Sequence, residues 1–351
     1  PEWSLNFATE SVRYGHTRNP WDRTRGAGGS SGGSAALVAA GAVPLAHASD
    51  GAGSIRVPAS CCGLVGLKPG RDAVVSVPRA PSVIGEPLGV DFVLTRSVRD
   101  AHAMLRVVGT RSVSGGDGSA GGAPVAVRPL TQRLRIALVT APWSGVPVHP
   151  EVVAATEAAA DMLEWIGHTV ERRTPGLAPE HISDATLLGV MSAARAILHA
   201  PVVPRTDLLE CASQAILRDA ASFGTDEADR SLAAQRTITE TMTRFWDDVD
   251  VLITPTLAQL PPPHGTLDYN APGLSTRGWL DQMLAFGPFT APFNVSGHPA
   301  LSLPLGQSAS GMPIGVQFVA GAHGEELLLA LAAELEQAMP WAGRFPPFWA
   351  G

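Results

Sequence analysis

The apolar positions of the chain fall into two patterns. Ser34 to Ala42 reads SAALVAAGA, a compact run of strong helix formers closed by Pro44, and it predicts a buried helix with Ser34 as its N-cap. Val152, Thr156, Ala159, Leu163 and Ile166 recur at spacings of four and three, which predicts an amphipathic helix over 150–167. Leu328, Leu331, Leu335 and Ala338 do the same for 325–339. Residues 100–108 and most of 180–247 also read as helical. Short solid runs at 135–139, 251–253, 301–304 and 314–319, with 169–172, predict strands. The strand–helix–strand order from 135 to 172 is that of an α/β layered fold. Residues 50–70 read as a tight loop entering a short buried helix, and 71–92 as loop. Residues 109–133 carry SGGDGSAGGAPVAV and read as a long exposed excursion.

Composition narrows the function classes. The 351 residues are 45% hydrophobic and 16% charged, enough apolar surface for a large core and too much for a disordered chain. A net charge of −7 with no basic block argues against nucleic acid or an anionic membrane as partner. No apolar run reaches the length of a spanning helix, and no secretory leader is visible. Three cysteines make no disulfide framework, and the adjacent Cys61 and Cys62 read as small buried apolar residues. A reducing cytoplasm fits this usage. Among 25 basic residues only Lys68 is a lysine, which, with the excess of Ala, Gly and Pro, reads as a coding bias.

Candidate chemistry concentrates in two small-residue loops. Gly28 to Gly32 satisfies G-x-S-x-G, but TRNPWDRTRG before it is no strand, so a hydrolase elbow is a poor fit. No Gly-Lys-Ser/Thr is present to make a phosphate loop. The ten histidines are scattered and the paired cysteines have no second pair at ligand spacing, so a zinc site is not expected. The second loop, Asp50-Gly51-Ala52-Gly53-Ser54-Ile55-Arg56, holds a serine among residues whose amides can approach a substrate carbonyl closely. Two such loops flanking one buried helix would bring Ser30 and Ser54 together.

These residues resemble the amidase signature family. The resemblance rests on GlyGlySerSerGlyGlySer at 28–34, AspGlyAlaGlySerIleArgValProAla at 50–59 and the 24-residue step from Ser30 to Ser54. It extends to AsnProTrpAsp at 19–22, GlyLeuLysPro at 66–69, LeuThrArgSerValArgAsp at 94–100 and ThrProThr at 254–256. It continues through PheAsnValSerGlyHisProAlaLeuSerLeuPro at 293–304 and GlyMetProIleGlyValGlnPhe at 311–318. General amidases and hydrolases of 6-aminohexanoate cyclic dimer look most similar; the glutamine-processing amidotransferase subunit is a more distant relative. The resemblance implies one α/β amidase domain over 1–351, with a mixed β-sheet between helical layers.

What the resemblance implies for the site is specific. Ser54 is the nucleophile and Ser30 the bridging serine, on a cis peptide bond. The amides of Gly51, Ala52, Gly53 and Ser54 form the oxyanion hole. Ser31, Asp50 and Arg56 support the loops. A small linear or cyclic amide is cleaved through an acyl-enzyme, without cofactor or metal, and a homodimer is left open. The family's base is a lysine several dozen residues before the bridging serine, where this chain has none; Lys68 matches a structural position. The chain therefore reads as an N-terminally truncated fragment. Ala52 replaces a frequent glycine and would be strained if its φ were positive. The stretches 180–245 and 265–290 are expected to shape the acyl pocket.

Two rival readings stay open: an amidase-fold binding protein with impaired catalysis, and an amidotransferase-type subunit. Trp279, Met283, Phe286 and Phe289 read as core, with lining of an acyl pocket as the alternative. His298 reads as a loop residue, His47 as packing near a helix end, and Asp247, Asp248 and Asp250 as a solvated turn.

Overall fold

The computed structural model describes residues 1–75, 85–110, 127–202 and 204–350. Most of the 109–133 excursion lies outside the described residues. A short hairpin, β1 (Glu10–Ser11) and β2 (Gly15–His16), precedes the main sheet. That sheet is built from β3 (Leu45–Asp50), β4 (Val65–Lys68), β5 (Val90–Thr95), β6 (Arg135–Leu138), β7 (Thr169–Arg172), β8 (Val251–Pro255), β9 (Ala300–Gln307) and β10 (Pro313–Ala320). Among the described residues it has eight strands in the order β3-β5-β4-β9-β10-β8-β6-β7. β6 runs parallel to β7 and β8, and the other pairs are antiparallel, so the sheet is mixed.

Helices flank this sheet. They are α1 (Gly32–Ala39), α2 (Arg56–Cys62), α3 (Val98–Val108), α4 (Pro150–Trp165), α5 (Pro179–Leu198), α6 (Cys211–Ser222), α7 (Thr225–Phe245), α8 (Thr276–Phe286), α9 (Pro292–Val295) and α10 (Glu325–Ala338). α2, α4 and α10 pack on β9 and β10, whose residues from Ala300 to Leu305 and along the whole of β10 are buried. Strands covered on both faces need no polar alternation, which is why 301–304 and 314–319 are solid apolar runs. The β9–β10 register shifts between Ile314 and Val316, beside Pro304, which has no N–H to donate to the ladder.

Several elements differ from the sequence reading. The first helix starts at Gly32 with Ser31 as N-cap; Ser34 lies inside it and donates its hydroxyl to the His47 carbonyl. The 180–247 stretch divides into α5, α6 and α7. β4 falls in the 50–70 stretch read as a loop entering a short helix, the first half of β5 in the 71–92 loop, and β3 almost wholly where the sequence reading assigns no element. β3, LAHASD, has no apolar alternation, and β4 is four residues long, too short for periodicity to register. His47 sits on β3 with its side chain exposed and 3.6 Å from Asp91, so it does not pack at a helix end. Asp250 forms a forked pair with Arg135, and Asp248 pairs with Arg173, so these acids tie β6 and β7 to the start of β8.

α3 begins at Val98, two residues before expected, because the Ser97 hydroxyl accepts from the Asp100 amide at 3.2 Å. Ser97→Ala removes that cap and should cost about 1 kcal/mol. Urea unfolding of the variant against the parent chain measures it, and an unchanged midpoint contradicts the capping role.

Candidate active site

The two Ser/Gly loops meet as the sequence reading expects. The Ser31 amide donates to the Ser54 carbonyl at 3.4 Å, and the Ser31 hydroxyl exchanges 3.3 Å hydrogen bonds with the Ser49 backbone. The first loop is pressed against the N-terminal segment. A Cβ on Gly29 would lie 2.6 Å from the Asn6 carbonyl oxygen, so only glycine fits. The Gly29–Ser30 peptide bond is cis. Thr9 clamps this loop: its hydroxyl lies 2.9 Å from the Gly28 carbonyl and 3.2 Å from the Ser30 carbonyl, and accepts from the Gly32 amide at 3.1 Å.

The second loop turns its amides to open space. Its carbonyls are engaged: Ala52 accepts from the Thr290 hydroxyl at 2.6 Å, Gly53 from the Val57 amide at 2.7 Å, and Ser54 from Ser31. The amides of Gly51, Ala52, Gly53 and Ser54 have no acceptor among the described residues. Gly53 has φ +147°, which few side-chain-bearing residues adopt. Ala52 is not among the described non-glycine residues of positive φ, so alanine is unstrained there.

A buried ion pair fixes this turn. Arg56 and Asp50 are fully buried and joined by two 2.9 Å bonds, Nε to Oδ2 and Nη2 to Oδ1. The other guanidinium protons go to the Thr290 carbonyl (2.8 Å), Gln317 Oε1 (2.8 Å) and Asn294 Oδ1 (2.6 Å). All five donors of Arg56 are satisfied. Asp50 also accepts from the Ile55 amide and from Asn294 Nδ2. Burial pushes the Asp50 carboxyl up, but the charge and hydrogen bonds of Arg56, with Lys68 and Asn294, hold it below the usual carboxylate range. The sequence reading places Asp50 and Arg56 as supports; it misses Thr9, Thr290, Asn294 and Gln317. Asn294 and Gln317 lie inside the motifs FNVSGHP and GMPIGVQF, but a polar residue in an apolar motif gives no sign of its partner.

Ser30, Ser54, Gly51 and Ala52 line one end of a cavity of about 490 Å³. Trp3, Leu5 and Phe7 wall it from the N-terminal segment, Thr186, Val190 and Ile197 from α5, and Trp279 and Met283 from α8. The expectation that 180–245 and 265–290 shape the pocket thus holds through α5 and α8. Trp279 and Met283 both pack and line, whereas Phe286 and Phe289 belong to the core alone.

Lys68 is on β4, buried, does not line the cavity, and donates to the Pro69 carbonyl at 2.8 Å. Burial, then the charge of Arg56, lowers its ammonium to about 7 against the pull of Asp50 and Glu325. Burial likewise pushes the Cys61 and Cys62 thiols up, which leaves them inert. His298 is in a loop as expected but buried, and burial lowers its imidazole to about 4. No histidine or cysteine lines the cavity. Among the described residues one group could hold a metal ion, Glu10, His16 and His264, none of which lines the cavity.

The comparisons with known proteins give the family. A family model described as Amidase matches residues 1–329, and the chain belongs to that family. It is 39% identical to AmiC of Mycobacterium leprae, which is named as an amidase, over 97% of this chain and 72% of that one. It is 38% identical to the 6-aminohexanoate-cyclic-dimer hydrolase of Paenarthrobacter ureafaciens, over 99% of this chain and 73% of that one. A solved 6-aminohexanoate cyclic dimer hydrolase in complex with substrate superposes with TM-score 0.85 and 36% identity, over 99% of this chain and 75% of that one. A bacterial aryl acylamidase of the amidase signature family gives TM-score 0.81 at 26% identity, over 97% and 73%. The protein is an amidase, a hydrolase of amide C–N bonds, with the mixed-sheet fold of that family. No helix among the described residues is long and apolar enough to cross a membrane.

Two outcomes test the electrostatics. Asp50→Asn leaves the Arg56 charge buried without its partner and should cost about 3–5 kcal/mol in urea unfolding; a loss under 1 kcal/mol contradicts the bracing role. Lys68 has a folded value of about 7 against an ordinary 10.5, so above pH 7 the unfolded chain binds the extra proton. Stability should therefore rise with pH across this window. Between pH 7 and 8.5 the urea midpoint should climb more steeply in the parent chain than in Lys68→Met, which carries the same thiols. Equal slopes contradict it.

Proposed function

We propose that Ser54 is the nucleophile and Ser30 its proton relay in the hydrolysis of a small linear or cyclic amide. One observation carries this reading: the two serines line one largely apolar cavity, beside a loop whose four backbone amides, Gly51 to Ser54, lack acceptors among the described residues. Ser54 Oγ attacks the amide carbonyl as its proton passes to Ser30, and Ser30 hands its own hydroxyl proton to a general base, a lysine in the mechanism that the family resemblance implies. The carbonyl oxygen, now negative, is received by the amides of Gly51, Ala52, Gly53 and Ser54, each such donor being worth about 3–4 kcal/mol in a transition state. The tetrahedral intermediate collapses, the proton returns through Ser30 to the departing amine, and water cleaves the acyl-enzyme. Lys68 is not assigned as the base, because it is buried on β4 and absent from the cavity lining. Ser31, Asp50 and Arg56 hold the loops.

The walls favour an uncharged acyl group. Asp50 is consumed by Arg56, and the other carboxylate at the rim, Glu86, faces Arg71 at 3.8 Å. The cavity volume suits a substrate in the size class of the cyclic 6-aminohexanoate dimer on which a similar enzyme acts. The reaction runs without cofactor or metal at the cavity.

A nitrophenyl ester of a small apolar acid reports acylation without demanding a proton for its leaving group. Ser54→Ala should abolish nitrophenol release, and retained turnover in that variant sinks the assignment. Ser30→Ala should slow the release by about 10²–10⁴-fold while leaving the urea midpoint near that of the parent. An unchanged rate would show that Ser30 is not the relay.

A further inference from the structure

The hairpin β1–β2 and the turn after Pro261–Pro263 meet outside the cavity, in an arrangement the reaction does not use. Glu10 and His16 are direct cross-strand partners at the open end of the hairpin. His264 arrives from the proline-rich turn and sets Nδ1 2.9 Å from Glu10 Oε1. His16 Nδ1 lies 3.4 Å from Glu10 Oε2 on the other side of the same carboxylate. The two imidazole rings meet edge to face, with centroids 4.9 Å apart. We propose that Glu10, His16 and His264 form a binding site for a divalent transition-metal ion, which pins the hairpin to the 261–266 turn.

The geometry is close to what such an ion requires. Zinc takes nitrogen and oxygen ligands at about 2.0–2.2 Å, which puts tetrahedral ligand atoms about 3.3–3.5 Å apart. The Glu10–His16 separation of 3.4 Å matches that value, the Glu10–His264 separation of 2.9 Å falls short of it, and all three ligand atoms lie within 4.8 Å of one another. Small side-chain adjustments close the set. The surrounding hydrogen bonds are those of a ligated site. His264 Nε2 lies 3.3 Å from the Arg23 carbonyl; donating there, it leaves Nδ1 for the metal. The Gly265 amide donates to Glu10 Oε2 at 2.9 Å and fixes the carboxylate. The Gly26 amide donates to the Pro262 carbonyl at 2.9 Å, so the turn itself is anchored.

Donor chemistry selects the ion. Two imidazoles and one carboxylate suit Zn²⁺, Co²⁺, Ni²⁺ or Cu²⁺ over Mg²⁺ or Ca²⁺, which prefer all-oxygen sets. The His16 side chain is 51% exposed, so the fourth coordination position opens to water and the ion loads from solvent. None of the three residues lines the cavity, so the metal has no part in the acyl chemistry. Its effect reaches the site through Thr9, the neighbour of Glu10, whose hydroxyl holds the Ser30 loop.

The test uses the whole chain stripped with a chelator, then titrated with ZnCl₂ against a chromophoric competitor. The expected result is one equivalent bound, with a higher melting temperature in its presence. Co²⁺ in place of Zn²⁺ should give the visible absorption of a low-coordinate histidine site. The double variant His16→Gln/His264→Gln should keep the parent's circular dichroism and weaken binding by more than about a hundredfold. Cys211→Ser, which alters the one cysteine that is not buried, should leave binding unchanged. No uptake by the parent chain, equal uptake by the double variant, or loss of uptake in Cys211→Ser each overturns the proposal. None of these readouts depends on amide hydrolysis.

Discussion

The catalytic end of this molecule depends on one buried ion pair. Asp50 ends β3 and Arg56 opens α2, so their forked pair closes the turn that carries Ser54. The same guanidinium reaches Thr290, Asn294 and Gln317, which belong to the α8–α9 connection, α9 and β10. A single cation thus joins the turn to α9 and to the central strand β10. Two charges removed from water are tolerated only when every donor and acceptor is matched, and here each guanidinium proton has a partner. With its carbonyls held by Thr290, Val57 and Ser31, the turn keeps its amides free. An amide left free inside a folded chain is costly in general; under the proposed function these amides are a preorganised receptor for a carbonyl oxygen.

The first serine is held by different means. Close packing of Gly29 on Asn6 and the hydroxyl of Thr9 position the Ser30 loop. These contacts come from the N-terminal segment, which also supplies Trp3, Leu5 and Phe7 to the cavity wall. The cavity wall and the Ser30 loop therefore share one support. The wall from α5 and α8 comes from outside both loops, and of its residues Trp279 and Met283 also pack in the core.

The site was more legible in the sequence than much of the fold. Its loops are runs of glycine and serine whose backbone demands restrict them to those residues, and so they stand out. The long helices α4 and α10 and the covered strands β9 and β10 also announced themselves, through periodicity and solid apolar runs. β3, β4 and β5 did not, because short strands rich in small residues carry no pattern until their neighbours are known. The partners of Arg56 were hidden for the same reason: Asn294 and Gln317 are more than two hundred residues away, and their spacing encodes nothing. The apposition of His16 and His264 likewise arises only when the hairpin folds onto the proline turn.

The central claim is that Ser54 carries the acyl group, and intact-protein mass spectrometry tests it most directly. The chain is mixed with a small activated acyl ester, quenched in acid within seconds and digested. The account predicts one added acyl mass, located on the peptide containing Ser54. An acyl group on Ser30, on Cys211 or on no residue at all, with amide hydrolysis still proceeding, would contradict it.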